Sequence, residues 1–150
     1  SRGGVLTQYN LLIEGYLALG QANAALAPLS NMLDFINATD LRVAEAEFLR
    51  LKGEALQALG QPEEADVCFQ RALTVAQKQA AKAWELRAAM SICRLYQATH
   101  QAGPLAEARA KLAQVYGWFT EGLDTRDLQE AAALLAELGL PDRDDRAVIP

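Results

Sequence analysis

The sequence predicts an all-α fold built from repeated helix hairpins, and three observations support this class. Helix-forming Ala, Leu, Gln, Glu and Arg are abundant, while the 150 residues include only 5 prolines and 10 glycines. Alternating runs of Val, Ile and Thr, which would indicate strands, do not occur in the sequence. Finally, the Ala-Leu-Gly-Gln of residues 18–21 recurs at residues 58–61, a repeat period of about 40 residues that is typical of stacked helix hairpins.

Each repeat is predicted to form a helix, a short turn and a second helix. We predict helices at residues 5–19, 22–37, 40–59, 62–79, 82–99, 105–119 and 125–138. Gly20, Gly60 and Gly103 each follow a helical run, where a left-handed C-terminal cap is expected. Pro62 and Pro104 each stand near the first turn of the next helix, where a missing N–H is harmless. Because the connections are short, consecutive helices are expected to pack antiparallel.

The third repeat is offset by three additional residues, which we expect in the loop at residues 98–101. Helical periodicity supports the assignment, because Ala65, Phe69, Ala72 and Ala76 fall on one face of the fourth helix. A single hairpin cannot bury such a face alone, so the hairpins are expected to stack.

The last helix is predicted to close the array. Asp124 or Thr125 can cap its start, and Gly139 and Pro141 are expected to end it. Residues 1–139 are therefore predicted to form a single helical repeat domain. Residues 140–150, which are rich in charge, are predicted to form a mobile tail.

Residues 49–73 resemble a tetratricopeptide repeat. The positions that carry the resemblance are Gly53 and Leu56 in the first helix and Ala65, Phe69 and Ala72 in the second. The corresponding residues of the first repeat are Ile13, Tyr16, Ala25, Leu29 and Met32, and those of the third are Cys93, Tyr96, Ala108, Leu112 and Val115. The resemblance implies a right-handed superhelix of three hairpins, at about residues 5–37, 40–79 and 82–119, plus a terminal helix.

A second resemblance concerns residues 81–138, and especially residues 115–125. They are similar to the C-terminal end of large bacterial signalling proteins that combine an AAA-type ATPase module with a class III adenylate or guanylate cyclase domain or a DNA-binding regulator domain. This resemblance covers roughly residues 40–139 and implies the regulatory repeat region of such a protein. The sequence has no Gly-rich Lys-Ser/Thr loop for phosphates, so no nucleotide chemistry is expected.

Charge and composition disfavour several functional classes. A formal net charge of -5 disfavours binding to phosphate backbones, so nucleic acid is not an expected partner. No apolar run approaches the roughly 20 residues that cross a bilayer, and residues 1–4 do not begin a signal peptide, so we expect a cytoplasmic protein without membrane association. His100 is the single histidine and is interpreted as a solvated loop residue. We therefore expect no cofactor, no metal site and no catalytic activity.

The cysteines and the aromatic side chains are interpreted as core residues. Cys68 and Cys93 are predicted to be reduced, partly buried thiols, with a disulfide as the alternative. Trp84, Trp118 and Phe119 are predicted to pack in the core, and the alternative is an exposed aromatic patch that docks a partner.

The tetratricopeptide resemblance also implies where a partner would bind, since the first helix of each hairpin lines the concave surface in that family. The groove candidates are Asn10, Glu14, Glu47, Arg50, Glu54, Gln57, Arg87, Met90, Arg94 and Gln97. The arginines can pair with a peptide carboxylate or acidic side chains, and the amides can pair with peptide backbone. The alternative is that these are ordinary solvated helix faces. The Lys/Asn/Arg set with which some family members clamp a C-terminal carboxylate is not reproduced, so chaperone-tail binding is not expected.

These observations predict a non-catalytic scaffold that binds a protein or peptide, or another domain of its own parent chain. One alternative is a homodimerisation module. Another is a domain that senses a small ligand and acts on a cyclase, ATPase or DNA-binding module, which predicts a deep pocket with polar groups.

Overall fold

A computed structural model describes residues 2–39 and 42–139, and in these residues every regular element is helical. The helices are α1 (Arg2–Ala18), α2 (Ala22–Thr39), α3 (Glu45–Ala58), α4 (Pro62–Lys78), α5 (Lys82–Ala98), α6 (Ala102–Trp118) and α7 (Arg126–Gly139). A short 3₁₀ turn, Arg42–Ala44, precedes α3. The all-α prediction is therefore confirmed, whereas the predicted tail at residues 140–150 lies outside the described residues.

The helices form two layers. Helices α1, α3, α5 and α7 contact one another in that order, and α2, α4 and α6 each pack against the two helices that flank them in sequence. Hydrogen bonds join side chains on successive helices of the first layer at a separation of 40 residues, as from Arg87 to Glu47 and from Arg87 to Asp127. Residues 40 apart therefore occupy equivalent positions on neighbouring helices of this layer.

The turns between helices use left-handed residues, but not always the predicted glycine. Gly20 and Gly60 have φ angles of 72° and 77°, as expected for the residue after a helix. Gly103, by contrast, lies inside α6, and His100 supplies the left-handed conformation with φ 56°. The predicted role of Gly103 is thus wrong, because His is among the residues that tolerate this region and it stands two residues after α5.

The additional three residues of the third repeat lie in a helix rather than in a loop. Helix α6 begins at Ala102, three residues before the predicted start, and the connection from α5 is as short as that between α3 and α4. Pro104 fits this first turn because its N–H would have had no helical partner there. The third predicted helix also begins later than expected, at Glu45, and α1 begins earlier, at Arg2.

Close packing between α3 and α4 explains why Gly53 is a glycine. A Cβ atom on Gly53 would lie 2.4 Å from Cε1 of Phe69, whose ring is fully buried. The equivalent residues of α1 and α5, Ile13 and Cys93, are larger and pack in clusters with the smaller Leu29 and Leu112. In each hairpin, a small residue in the first helix therefore faces a large one in the second, or two residues of intermediate size face each other.

The predicted burial of the cysteines is confirmed, whereas that of Trp118 is wrong. Both Cys68 and Cys93 are buried and free. Trp118 is 59% exposed, and its ring meets the half-buried Phe119 edge to face with a centroid separation of 5.2 Å. It is the last residue of α6, and Nζ of Lys82 lies 5.7 Å from the centroid of its ring. Trp84 is half-buried.

Candidate functional site

A groove of about 570 Å³ runs across the layer formed by α1, α3, α5 and α7. Its lining combines charged residues with a few apolar ones. They are Glu14, Leu17, Ala18, Arg50, Leu51, Glu54, Arg87, Met90, Arg94, Arg126, Asp127 and Glu130. Six of the predicted groove residues are brought together here: Glu14, Arg50, Glu54, Arg87, Met90 and Arg94.

The other four predicted residues do not line the groove. Glu47 is 4% exposed and lies beneath it. Asn10 is half-buried, and its Oδ1 atom has no hydrogen-bond partner among the described residues. Gln57 is half-buried on α3, and Gln97 donates from Nε2 to Oε1 of Glu137 on α7 at 3.1 Å.

Glu47 and Arg50 form a buried ion pair under the groove. Arg50 donates from Nη2 to Oε1 of Glu47 at 2.6 Å and from Nε to Oε2 at 3.1 Å, a two-point contact between planar groups. Burial alone would raise the pKa of Glu47, but the hydrogen bonds and charges of Arg50 and Arg87 outweigh it and hold this pKa below its ordinary value. Glu47 is therefore a buried carboxylate that stays ionised.

The pair extends into a network that joins three helices of the layer. Arg50 also donates from Nη1 to Glu54 and to Oγ of Ser91. Arg87 donates to Oε1 of Glu47 at 3.0 Å and to Oδ2 of Asp127 at 2.8 Å. Burial would lower the pKa of both arginines, but their acidic partners raise it. Because Arg50 and Arg87 are engaged with acids of the chain itself, they serve mainly to fix the groove's floor.

The groove also includes residues that the sequence analysis missed, above all Arg126, Asp127 and Glu130 of α7. They were missed because α7 was interpreted only as a cap. The repeat period contained the signal, since Asp127 and Glu130 stand 40 residues after Arg87 and Met90.

Charge is distributed unevenly along the groove. Glu14 on α1 has no ion-pair partner among the described residues, and Glu54 on α3 shares Arg50 with Glu47. At the opposite side Arg94 on α5 and Arg126 on α7 share one carboxylate, Glu130, at 3.9 Å and 2.9 Å. The apolar side chains of the lining are Leu17, Ala18, Leu51 and Met90. Acidic charge is thus in excess at the α1–α3 side, and basic charge at the α5–α7 side.

A smaller cavity of about 200 Å³ lies between α4, α5 and α6. Leu73, Ala89 and Ile92 contribute its apolar wall, and Tyr96 lies at its margin. The Tyr96 hydroxyl donates to the Asp66 carboxylate, at 3.0 Å and 2.9 Å from its two oxygens. Burial and this carboxylate raise the pKa of Tyr96, so the residue serves as a neutral hydrogen-bond donor that links α5 to α4.

Within residues 2–39 and 42–139, no group of three or more His, Cys, Asp or Glu side chains is arranged to hold a metal ion. Burial raises the pKa of Cys68, and it raises the pKa of Cys93 to about 11, so both thiols are poor nucleophiles near neutral pH. No described helix combines the length and apolar character that a membrane span requires.

A comparison with protein-family models gives no match for this chain, and a comparison with curated proteins gives none either. The geometry of the groove is therefore the basis on which a function can be assigned.

Proposed function

We propose that this chain is a tetratricopeptide-like repeat domain that acts as a non-catalytic scaffold, with a protein partner bound in the groove. The observation that carries the proposal is the groove itself. Four helices line the groove with mostly charged side chains, and an ion-pair network beneath it links three of them, α3, α5 and α7. A concave surface rich in charge suits a protein partner of complementary charge.

Two further observations support the tetratricopeptide-like character. Equivalent residues of successive helices hydrogen-bond at a 40-residue separation, as expected of a stacked repeat. The small residue that the repeat motif requires in its first helix is Gly53, and it faces Phe69, the aromatic residue of the same motif, at a distance that leaves no room for a Cβ.

The resemblance of residues 81–138 to bacterial signalling proteins supports a regulatory context. We therefore place the domain in the cytoplasmic repeat region of a larger signalling protein, where the groove would hold a separate protein or another module of the parent chain. Coupling of a small ligand to such a module remains the alternative function, and the cavity of about 200 Å³ is a smaller, largely apolar candidate site for it.

Photocrosslinking tests the groove directly. A photoreactive residue at position 14 places the probe in the groove, and the same residue at the exposed position 71 on α4 serves as the matched control. In an extract of the source organism, a groove partner is captured from position 14 and not from position 71. The captured protein is then identified and purified, and its affinity is measured against the wild-type domain and against Arg94→Glu.

Arg94 is the appropriate residue to reverse, since it is 46% exposed and only loosely paired. Arg50→Glu would instead place a second buried carboxylate beside Glu47 and disturb the fold. We expect Arg94→Glu to weaken the purified complex about 5- to 10-fold, and Arg71→Glu to leave it unchanged. Equal capture from both positions, with no effect of Arg94→Glu, would exclude the groove as the binding site.

Self-association is a second candidate function, favoured by the outer surface of α1. Leu11 is 64% exposed and Leu12 45%, whereas the core of the following helices buries Leu29, Leu51, Leu86 and Leu112. An apolar and uncharged face can pair with its own copy without charge repulsion between two acidic chains.

Sedimentation equilibrium distinguishes this candidate. Self-association through α1 predicts a dimer that is lost when Leu11 and Leu12 are both replaced by Gln. The dimer persists when Val67, an equally exposed residue of α4, is replaced by Gln. A monomer at every concentration would exclude dimerisation through this face.

A further inference from the structure

We propose that the groove selects an extended peptide segment of mixed charge, with a basic end and an acidic end. The basic end lies at the α1–α3 side and the acidic end at the α5–α7 side. This inference rests on the proposed function and adds to it the chemistry of the partner.

The acidic side of the groove follows from unequal pairing. Glu14 has no ion-pair partner within the described residues, and the two carboxylates Glu47 and Glu54 share the guanidinium of Arg50. Arg87 balances Glu47, but it is itself engaged by Asp127. A cationic side chain at this side would therefore meet Glu14, and Glu54, which shares its arginine with the buried Glu47.

The basic side of the groove has more arginines than carboxylates to pair with them. Arg94 and Arg126 share the single carboxylate of Glu130, and Arg126 is 90% exposed. The distance of 3.9 Å between Arg94 and Glu130 leaves the Arg94 guanidinium able to form a closer two-point contact with an incoming carboxylate.

The overall length of the segment follows from the helix layer. The groove offers little apolar surface, because Leu51 is 1% and Met90 2% exposed, so it sets the spacing of the charged ends rather than holding an apolar side chain. Neighbouring packed helices are about 8–10 Å apart, so two helix spacings separate the charged sides by about 16–20 Å. An extended chain covers that distance with about five or six residues.

The test compares three short peptides with blocked ends and the same uncharged centre. One has lysines at one end and aspartates at the other, the second has lysines at both ends, and the third has aspartates at both ends. Dissociation constants come from NMR titrations, which also locate the amides that shift. The wild-type domain is expected to bind the mixed-charge peptide about 5-fold more tightly than either of the others, with shifts at groove residues.

Charge reversal sharpens the test. Glu14→Lys makes both sides basic, so preference is expected to move to the peptide with two acidic ends, whereas Arg94→Glu is expected to move it to the peptide with two basic ends. Glu107→Lys and Arg71→Glu change the net charge equally on exposed residues outside the groove, and they should leave the preference of the wild-type domain unchanged. If Glu14→Lys reduces helicity, Glu14→Gln replaces it and should abolish the preference for a basic end.

Equal binding of the three peptides, binding without shifts at the groove, or the same change of preference in the control variants would overturn the inference. Its failure is distinguishable from failure of the proposed function. If capture from position 14 still identifies a partner whose affinity depends on Arg94, the scaffold function stands and only the charge order is wrong.

Discussion

Leu11 and Leu51 occupy equivalent positions on α1 and α3, 40 residues apart, but their surroundings differ completely. Leu11 is 64% exposed, whereas Leu51 is 1% exposed. Helix α3 packs against α1, α2, α4 and α5, while the main contacts of α1 are with α2 and α3. The number of neighbouring helices thus decides the burial of a position, and the sequence motif alone does not.

The number of neighbouring helices also explains where charged side chains are buried. Helix α3 buries Glu47 and Arg50, because α5 supplies Arg87 and Ser91 as additional partners. Among the described residues, helix α1 has no such neighbour on its outer side, and it exposes Leu11 and Leu12 there. Single substitutions in α3 and α5, in the middle of the helix layer, should therefore lower the free energy of unfolding the most.

The largest effect is expected for Arg50→Leu. It leaves the Glu47 carboxylate buried with Arg87 as its remaining partner, and removal of one member of a buried pair costs about 3–5 kcal/mol of the free energy of unfolding. Urea denaturation followed by circular dichroism measures the loss. Replacing Glu47 and Arg50 together by Leu should recover part of it, because no unpaired charge is then buried.

Arg94→Leu is the matched control, since this arginine lies in the same groove but is only loosely paired. Its effect on the free energy of unfolding should stay within about 0.5 kcal/mol. An equal cost for both arginine variants would show that the buried network does not stabilise the middle of the array.

The leucine pair gives the next largest difference. Leu51→Ala should cost about 2–5 kcal/mol, because it removes buried methyl groups and leaves a cavity. Leu11→Ala should change the free energy of unfolding of the monomer by less than about 0.5 kcal/mol. Both are measured by urea denaturation at a low protein concentration, and similar losses would contradict the exposed surface of α1.

A pair of glycines extends the comparison to the backbone. Gly53→Ala should destabilise the fold by about 1–3 kcal/mol, because the added Cβ would meet the buried Phe69 ring. Gly15→Ala on α1 meets nothing within 4 Å and should instead stabilise the helix by about 0.5–1 kcal/mol. Thermal denaturation should show a lower melting temperature for Gly53→Ala and a higher one for Gly15→Ala. Changes of the same sign would contradict the comparison.

Much of this fold could be predicted because its signals are local. Periodic apolar residues and left-handed turns at Gly20 and Gly60 indicated the helices within a few residues. The start of α6 was misplaced because His100 replaced a glycine as the turn residue. Trp118 was misplaced because its exposure depends on what lies beyond the end of α6, which no local pattern records.

The site was less predictable, because it depends on distances between helices. The repeat register predicted that Glu14, Arg50 and Arg94 face one groove. It could not show that Arg50 forms a close ion pair with Glu47, whereas Arg94 lies 3.9 Å from Glu130. Ion pairing depends on contacts between helices that are distant in sequence. Residue spacing alone therefore cannot show which arginine is available to a ligand.

The last prediction concerns the pH dependence of stability. Because the pKa of Glu47 is held below its ordinary value of 4.5 in the folded chain, its ionisation contributes stability that is fully present above that value. This stability is lost as the pH falls through the folded pKa, where the unfolded state already binds the proton.

Glu47→Gln should therefore be less stable than the wild-type domain at pH 7, and the difference should shrink as the pH falls below 4.5. Urea midpoints measured for both proteins across this range test the sign. A difference that stays constant with pH would mean that Glu47 stabilises α3 by packing alone, and the contrast between α3 and α1 would then rest on apolar burial rather than on charge.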